Sequence, residues 1–294
     1  MSQQELPEPI PVVMPEPEVV PVVVQKSVPA PVAIQRPVSS ATMKETTYPL
    51  PSAGLAYKNL PMQLIDGDCI KIRPMLVGDQ RRAGSAGTDP YFIYQKLLSR
   101  CVVHPNMDQF LDEILLSDAT AALWAIRAIT WGPEYKVEVT CTGCKVRKTQ
   151  ILDTSNLQIK RADEIDGYKS TDIEVEIGDK VITMHLPTMR DSRNLSANIN
   201  RLTRSKMLDD PENDSNFILV AGYIDTIDGK PVQNIGEAFT FVDGLLQEEF
   251  DKILTVVNDM DAGIQPVQVV TCKKCNREID VVLTVTPEFF RPTK

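Results

Sequence analysis

The sequence predicts an α+β fold: a helical region packed with a composite ribbon of two β-hairpins that lie far apart in the chain. Three observations predict it. Two runs rich in β-branched residues, 135–152 and 267–284, are each interrupted by a Cys-x-x-Cys turn. Between and before them, apolar residues recur at helical spacing, most clearly at Met107, Phe110, Leu111, Ile114 and Leu115. The first 47 residues hold nine prolines and no aromatic, and so stand outside any core.

The hairpins come first because they carry the chemistry. Val137-Glu138-Val139-Thr140 leads into Cys141-Thr142-Gly143-Cys144, and Val269-Val270-Thr271 leads into Cys272-Lys273-Lys274-Cys275. Four thiolates from two hairpin tips match the tetrahedral, sulfur-rich coordination of zinc, with metal–sulfur bonds of about 2.3 Å. Sulfur at every position leaves no place for water or substrate, so one structural zinc per chain is expected at Cys141, Cys144, Cys272 and Cys275. Residues 145–271 separate the pairs, so such a metal ties the end of the domain to its middle. Buried free thiols, two separate thiol pairs, a disulfide and a redox motif are the alternatives. A redox pair normally opens a helix, whose dipole lowers the thiol pKa, and both pairs here follow strand-like runs. A disulfide needs an oxidising compartment, and the start Met1-Ser2-Gln3-Gln4-Glu5 lacks the basic region of a signal peptide.

Residues 1–47 read as a disordered Pro-rich tail of Pro-Glu-Pro and Pro-Val-Val units that favours extended polyproline II; a peptide that docks on a partner is the sharper reading. Residues 48–294 form the globular α+β domain, long enough to bury a sizeable core. The net charge of −9 disfavours general nucleic-acid binding. No apolar run approaches the ~20 residues needed to span a bilayer. Cys69 and Cys101 have no near partner in sequence and are expected as small buried hydrophobes in a reduced cytoplasm.

Along the domain, 70–75 alternates apolar and basic residues before Pro74 and is expected as a short strand near a sheet edge. Residues 78–89, with three glycines, read as a loop. Helices are expected over 90–101, over 107–115, and over 119–131 with Asp118 as its cap. The last of these is apolar nearly all round, with Arg127 its one charge, and should be the buried helix. Residues 172–175 and 181–186 alternate as two strands around Gly178-Asp179. Thr188 and Asp191 form a capping box for a helix to about 207. That helix carries Arg190, Arg193, Arg201, Arg204 and Lys206, either a solvated face or a contact for an acidic partner. Residues 209–214 are an acidic break, 217–227 a further apolar element, and two helices precede the second hairpin. Phe289-Phe290 is expected to anchor the C-terminal end, with an exposed docking motif as the alternative.

No catalytic constellation is visible. There is no phosphate-cradling Gly-rich loop and no nucleophile elbow. His104 and His185 stand alone and are expected to be structural. The chain is therefore not expected to be an enzyme.

One order of motifs adds to this. Ile-Lys-Ile-Arg-Pro-Met (70–75), Leu-Trp-Ala-Ile-Arg-Ala-Ile-Thr-Trp-Gly (123–132), the first Cys-x-x-Cys, Leu-Pro-Thr-Met-Arg-Asp (186–191), the second Cys-x-x-Cys and Phe-Phe-Arg-Pro (289–292) follow one another. Over about residues 64–292 the sequence resembles the baseplate hub assembly proteins of T-even-like, contractile-tailed bacteriophages; the Pro-rich tail lies outside that pattern. The resemblance implies a phage tail baseplate assembly factor or chaperone that binds hub or tail proteins without catalysis. It implies a location in the host cytoplasm during assembly, or in the virion. A permanent baseplate or tail component is one alternative. A zinc-ribbon nucleic-acid-binding or transcription-related protein is the other, because Lys145, Arg147, Lys148, Lys273, Lys274 and Arg277 make both cysteine turns basic.

Overall fold

A computed structural model describes residues 45–57, 68–84, 90–208, 214–283, 285 and 289, and mixes helices with strands. The Pro-rich segment 1–44 and most of the acidic break lie outside the described residues.

The domain opens with β1 (Thr46–Pro49), which begins inside the stretch assigned to the tail, and β2 (Cys69–Ile72). Then come α1 (Val77–Gly84), α2 (Pro90–Cys101), β3 (Val102–Val103), α3 (Met107–Glu113) and α4 (Leu116–Trp131). β2 is the middle of a three-stranded antiparallel sheet, not an edge: Pro74 falls just past the strand, so it removes no ladder donor. α1 occupies part of the expected loop. Asp79 makes that helix possible, because its buried carboxylate accepts from the Leu76 N–H at 3.0 Å and pairs with Arg73 at 2.9 Å. α3 is shorter than the apolar spacing suggests: Ile114 turns extended, and Leu115 bridges to Thr188.

α4 is the buried helix, with Ala119, Ala121, Ala122, Leu123, Trp124, Ile126 and Arg127 all inside. Asp118 does not cap it. The helix starts earlier, and Asp118 is buried in its first turn, where it accepts from the Tyr57 hydroxyl at 2.6 Å and the Ser52 N–H at 3.0 Å. Through these two bonds the carboxylate fastens the segment 50–57 onto the helix.

Beyond the first hairpin, β4 (Glu134–Thr140) with β5 (Arg147–Asp153), come β6 (Ile159–Lys160), β7 (Ile173–Ile177) and β8 (Lys180–Met184). α5 (Met189–Arg204) starts at the predicted capping box: the Thr188 N–H donates to Asp191 at 2.8 Å. The apolar stretch 217–227 is two elements. α6 (Ser215–Tyr223) passes directly into β9 (Ile224–Ile227), which pairs with β8 and returns as β10 (Lys230–Pro231) through Asp228-Gly229, both at positive φ. The sheet order is β10-β9-β8-β7. α7 (Ile235–Asp243) and α8 (Gln247–Met260) follow, then β11 (Gly263–Ile264) and the second hairpin, β12 (Val267–Thr271) with β13 (Glu278–Val282).

The main core joins α2, α4, α6, α7 and α8 to the inner faces of the sheets and includes Phe289. A second, smaller core lies inside the ribbon: Val139, Cys141, Leu152, Cys272, Ile279 and Val281. No helix among the described residues is long and apolar enough to cross a membrane.

Candidate metal centre

The two hairpins turn in the same way. In the first, the Cys141 N–H donates to the Val146 carbonyl at 3.0 Å, the Lys145 N–H donates to the Cys141 carbonyl at 2.9 Å, and Lys145 sits at φ +56°. In the second, the Cys272 N–H donates to Arg277 at 2.8 Å, the Asn276 N–H donates to Cys272 at 2.8 Å, and Asn276 sits at φ +55°. Each turn closes tightly enough to aim its two thiols the same way, and the left-handed residue after the second cysteine makes that possible.

What brings the tips together is set at their roots. β6, just after the first hairpin, pairs with β11, just before the second, through Lys160↔Gly263 and Ile159↔Ile264. Gly263 lies so close to α4 that a Cβ there would stand 2.9 Å from the Ser117 Cβ, which explains the glycine. The buried Gln268 side chain accepts from the Gln158 N–H at 3.0 Å and donates to the Gln265 carbonyl at 2.8 Å. Gln150 of the first hairpin donates to the Thr271 carbonyl of the second at 3.2 Å.

The result is a cluster of four thiols from Cys141, Cys144, Cys272 and Cys275, all Sγ atoms within 4.8 Å of one another. Cys141 and Cys275 are 3.5 Å apart, and Cys144 and Cys272 are 3.8 Å apart. A disulfide requires about 2.05 Å, so these are free thiols. Four sulfurs around a metal at about 2.3 Å stand about 3.8 Å from one another, and the two spacings above, 3.5 and 3.8 Å, lie near that value. Both of these contacts run between hairpins, so the four thiols form one cluster and not two separate pairs.

The backbone also prepares the thiols. N–H groups of Cys144 and Gly143 point at the Cys141 sulfur and lower its pKa. Those of Lys274 and Cys275 bring Cys272 down to about 6. The Arg277 N–H pulls Cys275 down, but the neighbouring thiols, Cys141 foremost, outweigh it and leave Cys275 at about 11. Negative charge therefore gathers on Cys141 and Cys272, the two buried members, while Cys275 is exposed. Such a set suits a soft divalent cation, which stabilises all four thiolates at once.

The other singled-out residues have structural surroundings. Cys101 is buried, and burial pushes its thiol up to about 12; Cys69 is only half-buried and donates to Asp68 at 3.0 Å. His104 shares a 2.8 Å hydrogen bond with the Asn106 carbonyl. His185 lies between Asp225 at 2.9 Å and Asp191 at 3.3 Å. Burial works against its charge, but the two carboxylates outweigh it and lift the imidazole to about 10. Of the basic residues of α5, Arg190 pairs with Glu113 and Arg193 with Asp112 on α3. Phe289 is fully buried between Trp124 and Tyr135; Phe290 lies outside the described residues.

Arg127 is the important residue that the sequence left without a role. Fully buried, it donates to the carbonyls of Phe289 at 3.2 Å, Glu134 at 3.0 Å and Gly132 at 3.4 Å, and stacks 4.6 Å from the Tyr135 ring centroid. It thus joins α4, the root of the first hairpin and the segment after the second. A lone arginine in an apolar helix is the one available signal, since burial without hydrogen bonds is too costly to persist.

In comparisons with known proteins, no curated protein and no solved structure matches the chain. The family model described as T4 bacteriophage base plate protein matches residues 56–291, a span that begins in the Tyr57 latch on α4, contains all four thiols and closes just beyond Phe289. The chain belongs to the T4 bacteriophage base plate protein family.

Proposed function

We propose that the chain is an assembly factor or chaperone of the phage baseplate hub. It works by binding other baseplate or tail proteins and catalyses no reaction. Its four clustered cysteines hold one structural zinc, making the two hairpins a zinc ribbon. The observation that carries this reading is the convergence of four thiols from the middle and the end of the family-matched span, close enough together for one tetrahedral ion. A bound zinc supplies a crosslink and, with all positions filled by sulfur, offers no open site for chemistry. The chain's own part is to present the ribbon rigidly, through the β6–β11 pairing, the Gln150 and Gln268 hydrogen bonds and the Arg127 clamp. The non-catalytic part is supported by both histidines being engaged in structural hydrogen bonds.

Two experiments test it. Elemental analysis of the purified protein is expected to give one zinc per chain, and a folded, monodisperse, metal-free protein refutes the site. Phage lacking the protein are expected to replicate and form heads but to leave baseplates unfinished; normal tails refute the assembly role. Mass spectrometry of purified virions separates the transient factor, absent from them, from a permanent component, present in fixed copy number.

A further inference from the structure

The two cysteine turns, residues 141–148 and 272–277, hold six cations and no carboxylate, in a chain of net charge −9. These are Lys145, Arg147, Lys148, Lys273, Lys274 and Arg277, all exposed except the half-buried Lys148. Convergence of the thiols gathers them onto one tip. The Arg277 side chain lies across Gly143, its Cδ and Nε 3.0 Å from where a Cβ would stand, so a cation of one turn covers the backbone of the other. Among the described residues, only Arg147 of the six has an ion-pair partner, Glu138.

Neither the turn nor the metal accounts for this charge. The turns share one backbone geometry, yet their cations occupy different places: after the second cysteine in the first turn, mostly between the cysteines in the second. A divalent ion held by four thiolates carries a net charge of about −2, fewer than the five cations outside the Glu138 pair.

We propose that this tip is a docking surface for a carboxylate-rich segment of a partner protein, which rests on the reading of the chain as a baseplate-binding protein. Charge complementarity selects an acidic segment. Length selects a short protein segment over a nucleic acid: at physiological salt the tip's field reaches about 8 Å, whereas a long polyanion also meets the negative body of the chain. Residues 136–150 and 268–282 contain no aromatic on which bases stack.

The test uses the full chain and a short fluorescein-labelled peptide of alternating Glu and Gly. Its Gln/Gly twin and a random-sequence DNA duplex are run beside it, and zinc is measured in every sample. The peptide is expected to bind, to weaken steeply with added salt, and to lose about tenfold or more in affinity when Lys145→Asn, Lys273→Gln and Lys274→Gln are combined. Lys145→Asn copies Asn276, which holds the equivalent left-handed position, so the backbone is kept. Charge-preserving Lys273→Arg with Lys274→Arg is expected to bind as wild type. Equal binding of the neutral twin, tighter binding of DNA, or salt-insensitive binding by the wild-type chain overturns the proposal, and these readings need no variant to fold. Zinc-loaded protein that ignores the peptide sinks this inference alone; protein without zinc sinks the metal reading.

Discussion

The two cysteine hairpins have the same turn but different supports. The first has seven residue pairs between β4 and β5 and grows directly out of α4; its root residue Tyr135 packs against Trp124, Phe289 and Arg127. The second has five pairs, exposes Val267, Val269 and Val282, and is held by Gln268, Gln150, the short β6–β11 pairing and the small core that its Ile279 and Val281 share with Val139 and Leu152. A lone two-stranded hairpin is marginal in water. The first is thus an extension of the main core, while the second leans on the first, and the shared thiol cluster makes them equal. The difference teaches that equal turns need not be equally stable once the proposed zinc crosslink is removed.

Removing that crosslink is expected to have the largest effect. Apparent binding energies of structural zinc are about 10 kcal/mol or more at neutral pH, against a net domain stability of about 5–15 kcal/mol. Cys141→Ser and Cys272→Ser are both expected to lose all zinc and to suffer the same severe loss of soluble protein, because one site needs all four ligands. Partial zinc in either variant would show two sites. Brief chelation of the wild type should then reveal the asymmetry: hydrogen exchange is expected to speed up over 267–282 before it does over 134–153. The reverse order would break the comparison.

Arg127→Met comes next and strikes the first hairpin's support. The swap keeps much of the volume but leaves carbonyls at Phe289, Glu134 and Gly132 short of a donor. The expected cost is about 2–4 kcal/mol, read by chemical denaturation, with hydrogen exchange now rising at the root of β4. If the second hairpin alone loosens, the clamp has been assigned to the wrong root.

Acid is expected to separate the ribbon from the body. Burial raises the Asp118 carboxyl to about 6, above its ordinary value, so protonation adds stability that is complete below about pH 4 and lost as pH rises through 6. His185, raised to about 10, contributes fully below its ordinary 6.5 and loses its contribution as pH climbs toward 10. Near pH 5 both therefore favour the folded body. Metal thiolates take up protons on acidification and release their ion. Zinc release near pH 5, followed with a chromogenic chelator, is expected while far-ultraviolet circular dichroism of the helices persists. Simultaneous loss of both would show that body and ribbon unfold as one unit.

Much of this was legible in the sequence, and the exceptions have physical causes. The thiol cluster was readable because Cys-x-x-Cys between β-branched runs is local, and so were α2 and the Thr188–Asp191 capping box. The switch from α6 to β9 at Tyr223–Ile224 was not, because an unbroken apolar run carries no period and only pairing with β8 decides it. Asp118 looked like a cap because its partners, Ser52 and Tyr57, lie far away in sequence. The β6–β11 pairing that aligns the hairpins is two residues long, too short to leave a pattern.

The smallest expected effect belongs to Gly143→Ala, and it separates what the turn needs from what its neighbour needs. Gly143 does not occupy the left-handed region; Lys145 does. The equivalent place in the second turn is filled by Lys274, so this backbone accepts a side chain. What a Cβ at 143 would meet is the Arg277 side chain, at 3.0 Å from Cδ and Nε. That neighbour is exposed and flexible and can swing aside, so stability is expected to change by less than about 0.5 kcal/mol, with zinc content unchanged. Arg277 should move, and nuclear magnetic resonance of its guanidinium would register a shift absent in Thr142→Ala. Loss of zinc in Gly143→Ala would mean instead that the glycine serves the turn itself, and that the two hairpins do not share one backbone solution.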